Sequence, residues 1–199
     1  MTLRHALSAI EARGLVIRAI GRNGGTFVQG SKIACDLNQM VGFTEQLKKN
    51  GLEPGARVLT AEVQEADSTI AKALDLPPGA PVYFVERLRL ANGVEVAIEN
   101  SWFPAEMFEG LLDMDLGASI YSILSDRYNS RPVKALETLD AVALTPRQSA
   151  LFGSRSVRIG LQIERLAYAM NGIPVEFAHD IFRADMTKIT IWAGIGGTG

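Results

Sequence analysis

Two arginines stand two positions apart in the segment VERLRLANGVEVAIEN (85–100), whose Asn-Gly pair predicts a β-hairpin turn. Because side chains alternate along a strand, Arg87 and Arg89 leave from one face, roughly 6–7 Å apart. Guanidinium groups this close repel each other unless an anion lies between them or acids flank them. Two interpretations are therefore evenly open. The pair binds an anion, best matched by phosphate, or it lies on an exposed sheet edge and pairs with Glu95 or Glu99, which alternation places on one face of the return strand.

Two glutamates and two hydroxyl residues extend this set of candidate ligand contacts. Glu99 and Glu176 lie among apolar neighbours in VAIEN and PVEFA, and a carboxylate in such surroundings needs partners. Sugar hydroxyls, an amine, Arg87 or a backbone amide would supply them. Ser119 stands in LGASIY where a helix should begin, so its neighbouring backbone N–H groups could attract an anion, although plain helix capping is the simpler interpretation. Thr44 has the equivalent place in GFTEQL and also suits a cap.

Other patterns that would carry chemistry are missing from the sequence. It has no Ser–His–Asp arrangement, no metal-ligand spacing of histidines and no phosphate-binding P-loop, so we expect no catalytic residue, metal or cofactor. The 199 residues are 47% hydrophobic and 21% charged, with a net charge of −2, which suits a globular protein of one large or two small domains. The apolar runs are too short to span a bilayer. A single cysteine, Cys35, excludes an internal disulfide and favours a cytoplasmic location.

An internal repeat predicts the fold. ERLRLANGVEV at 86 resembles ERLAYAMNGIPV at 164, and the same offset of 78 residues aligns FTEQLKKNGLEP (43–54) with YSILSDRYNSRP (121–132). Each half reads as an amphipathic helix, a long strand, a short helix and a hairpin that turns at Asn-Gly. Because each hairpin must bury its apolar side, the six long strands should share one sheet. We therefore expect an α+β fold, with an antiparallel sheet built from two repeated halves and helices around it.

The differences between the two copies point to a site. Arg89, Glu99 and Glu176 each align with an alanine in the other copy. A feature that stabilises the shared architecture would tend to occur in both halves. Polar groups that occur in one copy alone are therefore more typical of a binding site, in a cleft between the sheet and its helices.

The first 32 residues carry five basic side chains and one acid, on an otherwise acidic chain. TLRHALSAIEAR (2–13) predicts an amphipathic helix, and LVIRAI and TFVQG predict two short strands around the basic, glycine-rich GRNGG. A helix followed by such a hairpin is typical of the second half of a winged helix, in which the helix start and the wing tip meet DNA. An ordinary helix and hairpin with a solvated basic face is the alternative. The candidate DNA contacts are Thr2, Arg4, His5, Arg22 and Gly24.

These segments together resemble a known family. TLRHALSAIEARGLVIRAIGRNGGTFV is similar to the recognition helix and wing of GntR-type transcriptional regulators, and FTEQLKKNG…ERLRLANGVEVAIE…GASIY…ERLAYAMNGIPVEF resembles the effector-binding UTRA domain of their HutC subfamily. The resemblance implies a repressor whose DNA affinity is set by a small metabolite bound without catalysis, on a chorismate-lyase-like fold. It divides the chain into a partial winged helix (1–30), a linker (31–42) and a UTRA domain (43–199). Family members have roughly forty more residues before the recognition helix, so a truncated winged helix is expected.

The resemblance also implies roles for individual residues. In sugar-phosphate-responsive members, the pattern matching Arg87, Arg89 and Ser119 holds phosphate, and the positions matching Glu99 and Glu176 contact the sugar. This favours the anion interpretation of the arginine pair. A tyrosine common near the end of the last strand is Phe182 here, which leaves the identity of the sugar open. The expected effector-binding residues are Thr44, Arg87, Arg89, Glu99, Ser119, Glu176 and Phe182.

The expected partners are operator DNA, a small anionic metabolite such as an amino-sugar phosphate, and a second copy of the chain in a homodimer. Effector closure near residues 41–44 would reorient the basic arm. Other members of the family respond to histidine-pathway acids, fatty acids or peptidoglycan-like compounds, so the ligand class stays open. Two further functions are alternatives: an enzyme of the chorismate-lyase type, and a metabolite-binding module that acts without DNA.

Overall fold

The computed structural model of the chain describes Leu7 and residues 16–19, 25–28, 32–153 and 157–192. It divides into two compact units, residues 1–33 and 34–199. In the smaller unit, β1 (Val16–Ala19) and β2 (Gly25–Val28) form an antiparallel hairpin, as predicted for LVIRAI and TFVQG. The predicted helix at 2–13, apart from Leu7, lies outside the described residues, and so do the candidate DNA contacts Thr2, Arg4, His5, Arg22 and Gly24.

The larger unit contains a six-stranded antiparallel sheet, in the strand order β4-β5-β6-β9-β8-β7. The first half of the chain supplies β4, β5 and β6, the second half supplies β7, β8 and β9, and β6 pairs with β9 at the centre. This confirms the α+β fold and the sheet of two repeated halves. The six strands span Pro54–Glu65, Pro81–Ala91, Val94–Pro104, Lys134–Ala143, Ile159–Tyr168 and Pro174–Arg183.

Four α-helices and one 3₁₀ helix accompany the sheet in the described part of the chain. They are α1 (Phe43–Lys49), α2 (Ser68–Ala73), α3 (Ile120–Tyr128), α4 (Pro146–Leu151) and the 3₁₀ helix Leu111–Asp113. Two short strands, β3 (Ile33–Asp36) and β10 (Thr187–Thr190), pair with each other. Strand β3 lies within 31–42, the segment expected to be a linker. Within the described residues, no helix combines the length and the apolar character needed to cross a bilayer.

Local sequence accounts for most element boundaries. Asp67 caps α2 by accepting hydrogen bonds from two backbone N–H groups, and Thr145 caps α4 in a capping box with Gln148. The first hairpin turns at Asn92 and Gly93, whose φ angles of 50° and 78° are those of a tight type I′ turn. The second hairpin has one more residue before its Asn-Gly pair than the first hairpin, so its loop is longer.

One alternation prediction is wrong because of a β-bulge. Arg89 pairs with Ala97 and Leu90 with Glu95, so Val96 is an extra residue in β6. A bulge of this kind reverses which face the following side chains occupy. Glu95 and Glu99 therefore lie on opposite faces of the sheet, and only Glu99 shares a face with the arginine pair.

The central strands are covered on both faces. On one face, Val85 and Phe103 pack with the 3₁₀ helix and α3 in a cluster that includes Leu124. On the other face, Leu88 and Ile98 pack against Phe152 at the end of α4. The apolar cluster on the first face ends at Val85 and Phe103. The next side chains on that face are Arg87 on β5 and Ser101 on β6, which are charged or polar, and a cavity lies there.

Candidate functional site

A cavity lies between the charged part of the sheet face, the starts of α1 and α3, and the segment 37–42 that precedes α1. Its open mouth included, it contains about 700 Å³ of space between atoms. All seven predicted effector residues line this one cavity.

The arginine pair points into the cavity and shares a carboxylate. Arg87 and Arg89 are only 7% and 2% exposed. Glu99 Oε2 accepts from Arg87 Nη2 at 2.7 Å, and both Glu99 oxygens accept from Arg89 Nη1 at 3.0 Å. The predicted alternative of pairing with Glu99 across the hairpin is therefore right, but its exposed sheet edge is wrong, because β5 and β6 are inner strands. The two predicted interpretations are compatible, since the same buried pair that binds Glu99 also faces the cavity.

The other donors of the pair connect the sheet to the two helices. Arg87 Nη1 donates to the carbonyls of Leu116 and Ala118, which lie just before α3, at 3.1 and 3.0 Å. Arg89 Nη2 donates to Thr44 Oγ1 on α1 at 2.7 Å. Displacement of either guanidinium would therefore break a hydrogen bond to a residue at, or just before, the start of a helix.

The two hydroxyl residues differ in role. Ser119 is the N-cap of α3, and its Oγ accepts from the backbone N–H of Ser122 at 3.4 Å. The N-cap of α1 is Gly42, which has no side chain to cap the helix. Thr44 is therefore the second residue of the helix and not its cap. The Thr44 hydroxyl is instead committed to Arg89. Phe182, the seventh predicted residue, is 3% exposed and packs edge-on against Phe43 with ring centroids 5.2 Å apart.

A second charged cluster, which the sequence analysis missed, lines the cavity from the second half of the repeat. Arg165 Nε donates to Glu137 Oε1 at 2.6 Å, and its Nη1 donates to Asp180 Oδ2 at 2.9 Å. The repeat itself carried the signal for this cluster, because the offset of 78 residues aligns Arg165 with Arg87. Glu137 and Asp180 have no charged counterparts in the first half, where Leu59 and Ser101 align with them.

A tyrosine at the start of α3 was also missed. Tyr121 donates a hydrogen bond of 2.6 Å to Glu176 Oε2, which gives the buried glutamate the partner that the sequence required. Burial and the neighbouring carboxylate of Glu176 raise the pKa of Tyr121 well above its usual value, so its hydroxyl keeps its proton. Nothing in the local sequence distinguishes Tyr121 from an ordinary helix residue.

The buried charges shift the pKa values of two carboxyls in opposite directions. Burial raises the pKa of Glu99, but Arg89 and Arg87 outweigh it and hold the value at about 2. Asp180 is also buried, and its pKa rises to about 8, because Arg165 does not offset burial together with the negative charges of Glu99 and Glu176. The arginine pair therefore faces an ionised carboxylate, whereas the raised pKa favours the protonated form of Asp180.

The cavity lining thus contains two chemically different groups of side chains. The arginine-rich group consists of two guanidinium groups, one carboxylate, the Thr44 hydroxyl and the start of α3. The acid-rich group consists of Arg165 with the acidic side chains of Glu137, Glu176 and Asp180, and the two groups meet where Asp180 lies opposite Glu99 on the paired strands β9 and β6. Such an arrangement suits a small polar ligand with an anionic group at one end and several hydrogen-bonding groups at the other.

Comparisons with known proteins identify the family of the chain. The family model of the UTRA domain matches residues 49–188. The chain is 33% identical, over 93% of its length and 75% of the relative's, to the HTH-type transcriptional repressor NagR of Bacillus subtilis. It is 27% identical, over 96% of its length and 78% of the relative's, to a probable fructoselysine utilization operon transcriptional repressor of Escherichia coli. The crystal structure of PhnF from Mycobacterium smegmatis superposes with a TM-score of 0.80 and 28% identity, over 96% of this chain and 84% of that one.

These matches define a class of ligand-responsive transcriptional regulators rather than of enzymes. The chain belongs to the UTRA-domain family of GntR-type transcriptional regulators. The alternative of a lyase is therefore set aside.

Proposed function

We propose that the chain senses a phosphorylated sugar or a closely related polyol phosphate, and that binding in the cavity changes the affinity of the repressor for operator DNA. The observation that carries the proposal is the charged lining of the cavity. Three arginines and four acids replace what would otherwise be apolar core under the central strands. Buried ion pairs are seldom more stabilising than well-packed apolar side chains, so a binding role best explains their presence.

The arginine-rich group of side chains supports a phosphoryl group as the anionic part of the effector. Arg89 offers a planar guanidinium with bidentate geometry, and the Thr44 hydroxyl lies 2.7 Å from it. Ser119 begins α3, a helix of nine residues, whose first N–H groups favour an anion. A phosphate placed among these groups would compete with Glu99 for the guanidinium donors.

The acid-rich group supports a polar, hydroxylated second part. Glu176, Tyr121 and Asp180 offer acceptors and donors that could meet sugar hydroxyls. One of the relatives is named a repressor of a fructoselysine utilization operon, which is consistent with a sugar-derived effector. Phe182 adds an apolar surface to the cavity in the same row of the sheet as Arg89.

Coupling to DNA would pass through the segment before α1. Residues 37–42 and the start of α1 line the cavity, so a bound effector would contact them and could change their position. The smaller unit ends at residue 33, a few positions before this segment, and an effector that binds one position of the segment more tightly shifts the balance between the two. In this proposal Thr2, Arg4, His5, Arg22 and Gly24 contact operator DNA, and two copies of the chain bind two half-sites.

Calorimetric titration tests the proposal. The ligands are glucosamine 6-phosphate, glucose 6-phosphate, glucosamine and inorganic phosphate. We expect the two sugar phosphates to bind most tightly, and we expect Arg89→Ala to weaken their binding by at least about tenfold, which corresponds to the loss of a charge-assisted hydrogen bond. The matched control is Arg57→Ala on the neighbouring strand β4, because Arg57 is exposed and outside the cavity. Equal affinities for the wild type and Arg89→Ala would contradict the anion site.

A further inference from the structure

Asp180 is a buried acid in the cavity wall, and one of its carboxyl oxygens lacks a hydrogen-bond partner among the described residues. It lies on the central strand β9 and is only 2% exposed. Its Oδ2 accepts from Arg165 Nη1 at 2.9 Å, whereas Oδ1 is buried and has no hydrogen-bond partner among the described residues. A buried polar atom without a partner costs free energy, and in a cavity wall the missing partner is most simply a ligand atom.

The surroundings of Asp180 keep it neutral. Burial is the main cause, and the charges of Glu99 and Glu176 add to it against Arg165 and Arg87, so the pKa of Asp180 rises to about 8. Because Oδ2 already accepts a hydrogen bond from Arg165, Oδ1 is the oxygen available to carry the proton. The titratable and charged groups around it are Cys35 on β3, Arg87 on β5, Glu99 on β6, Tyr121 on α3, Glu137 on β7, Arg165 on β8 and Glu176 on β9.

We infer that Asp180 is a specificity-determining residue that binds the effector as a neutral carboxylic acid, by donating a hydrogen bond from Oδ1 to a hydroxyl or carbonyl oxygen of the sugar-like part. The inference rests on the proposed function, since it concerns the same cavity. It adds a selection rule: an effector with an oxygen acceptor at this position binds better than one with an ammonium group, which can only donate.

The inference also sets the sign of the pH dependence of binding. An anion on the arginine side makes ionisation of Asp180 still less favourable, so binding stabilises the protonated form. In the free protein the neutral fraction falls from about nine-tenths at pH 7 to about one-tenth at pH 9, for a pKa of about 8. Affinity should therefore fall about tenfold over that interval, if the ionised form does not bind. A phosphoryl group is already a dianion throughout this range and adds no pH dependence of its own.

The experiment measures the affinity of the full chain for glucose 6-phosphate from pH 7 to pH 9. The wild type should lose about tenfold in affinity, while Asp180→Asn, whose amide keeps a donor without ionising, should bind equally well at both values. Asp140→Asn on β7 is the matched control, because Asp140 is exposed, and it should follow the wild type. A wild type with unchanged affinity would overturn the inference and leave the proposed function standing.

A second readout needs no ligand and no variant. Infrared spectra of the free wild type should contain a protonated-carboxyl band at pH 7 that disappears near pH 8, far above the pH at which exposed carboxyls ionise. A spectrum without that band overturns the inference even if Asp180→Asn does not fold. A band that is present, together with no binding of either sugar phosphate at any pH, would instead refute the proposed function while leaving Asp180 neutral.

Discussion

Replacing Glu99 by glutamine should strongly destabilise the ligand-free protein. The substitution keeps the shape of the side chain but removes the one carboxylate that touches both guanidinium groups, through contacts of 2.7 and 3.0 Å. The side chains of Arg87 and Arg89, of which 8% and 2% of the surface is exposed, then face each other without a counter-charge. Breaking a buried ion pair in this way typically costs about 3–5 kcal/mol.

The lowered pKa of Glu99 indicates a contribution to the free energy of unfolding of similar size. A carboxyl whose pKa falls from 4.5 in the unfolded chain to about 2 in the folded protein contributes roughly 3 kcal/mol to the free energy of unfolding at neutral pH. Because the folded value is depressed, this stabilisation is complete above pH 4.5 and is lost as the pH falls towards 2. The wild type should therefore lose stability over that interval more steeply than Glu99→Gln.

Urea unfolding followed by circular dichroism measures both effects, and Glu86→Gln is the matched control. Glu86 lies on the same hairpin and is also buried, but it faces the other side of the sheet and pairs with Arg147, whose side chain is 61% exposed. That arginine can turn into water when its partner is lost, so we expect Glu86→Gln to cost only about 1 kcal/mol.

Inorganic phosphate connects this prediction to the anion site. In Glu99→Gln the two guanidinium groups lack their carboxylate, so added phosphate should stabilise the variant more than it stabilises the wild type. The reasoning is refuted if Glu99→Gln and Glu86→Gln lose equal stability, or if phosphate leaves the variant unchanged.

Two further substitutions test other parts of the structure. Tyr121→Phe removes the 2.6 Å hydrogen bond to Glu176 and should lower the free energy of unfolding by about 1–3 kcal/mol, as well as weaken sugar-phosphate binding in calorimetry. An unchanged affinity would place Tyr121 outside the binding site. Gly160→Ala would put a Cβ atom 2.7 Å from Ile181 and 2.8 Å from Leu144, so urea unfolding should show a loss of about 1–3 kcal/mol. A variant as stable as the wild type would mean that both neighbours can move aside without cost.

The elements of the sheet and its helices followed from local patterns in the sequence. The repeat, the Asn-Gly turns and the amphipathic helices predicted six strands in two equivalent halves, and the structure confirms them. Such features can be read locally because turn residues and apolar periodicity act over a few positions. The bulge at Val96 is the exception within the hairpin. One inserted residue moved Glu95 to the other face, and no residue type marks the insertion.

The contacts of the site were less accessible to the same reasoning. Arg165 aligns with Arg87 in the repeat, but a polar residue present in both copies does not by itself indicate a site. The sequence around Thr44 predicts a helix cap, since a threonine at a helix start usually is one, whereas in the structure its hydroxyl accepts from Arg89 on a distant strand.

From the amino-acid order alone came the antiparallel α+β architecture, the shared face of Arg87 and Arg89, and the family to which the chain belongs. The folded molecule was needed to show that Glu99 neutralises both arginines, that Arg165 pairs with Asp180 in the same cavity, and that burial raises the pKa of Asp180. The reason is physical: strand direction and turns depend on neighbours in sequence, whereas ion pairing and pKa depend on burial and on charges brought together from distant segments.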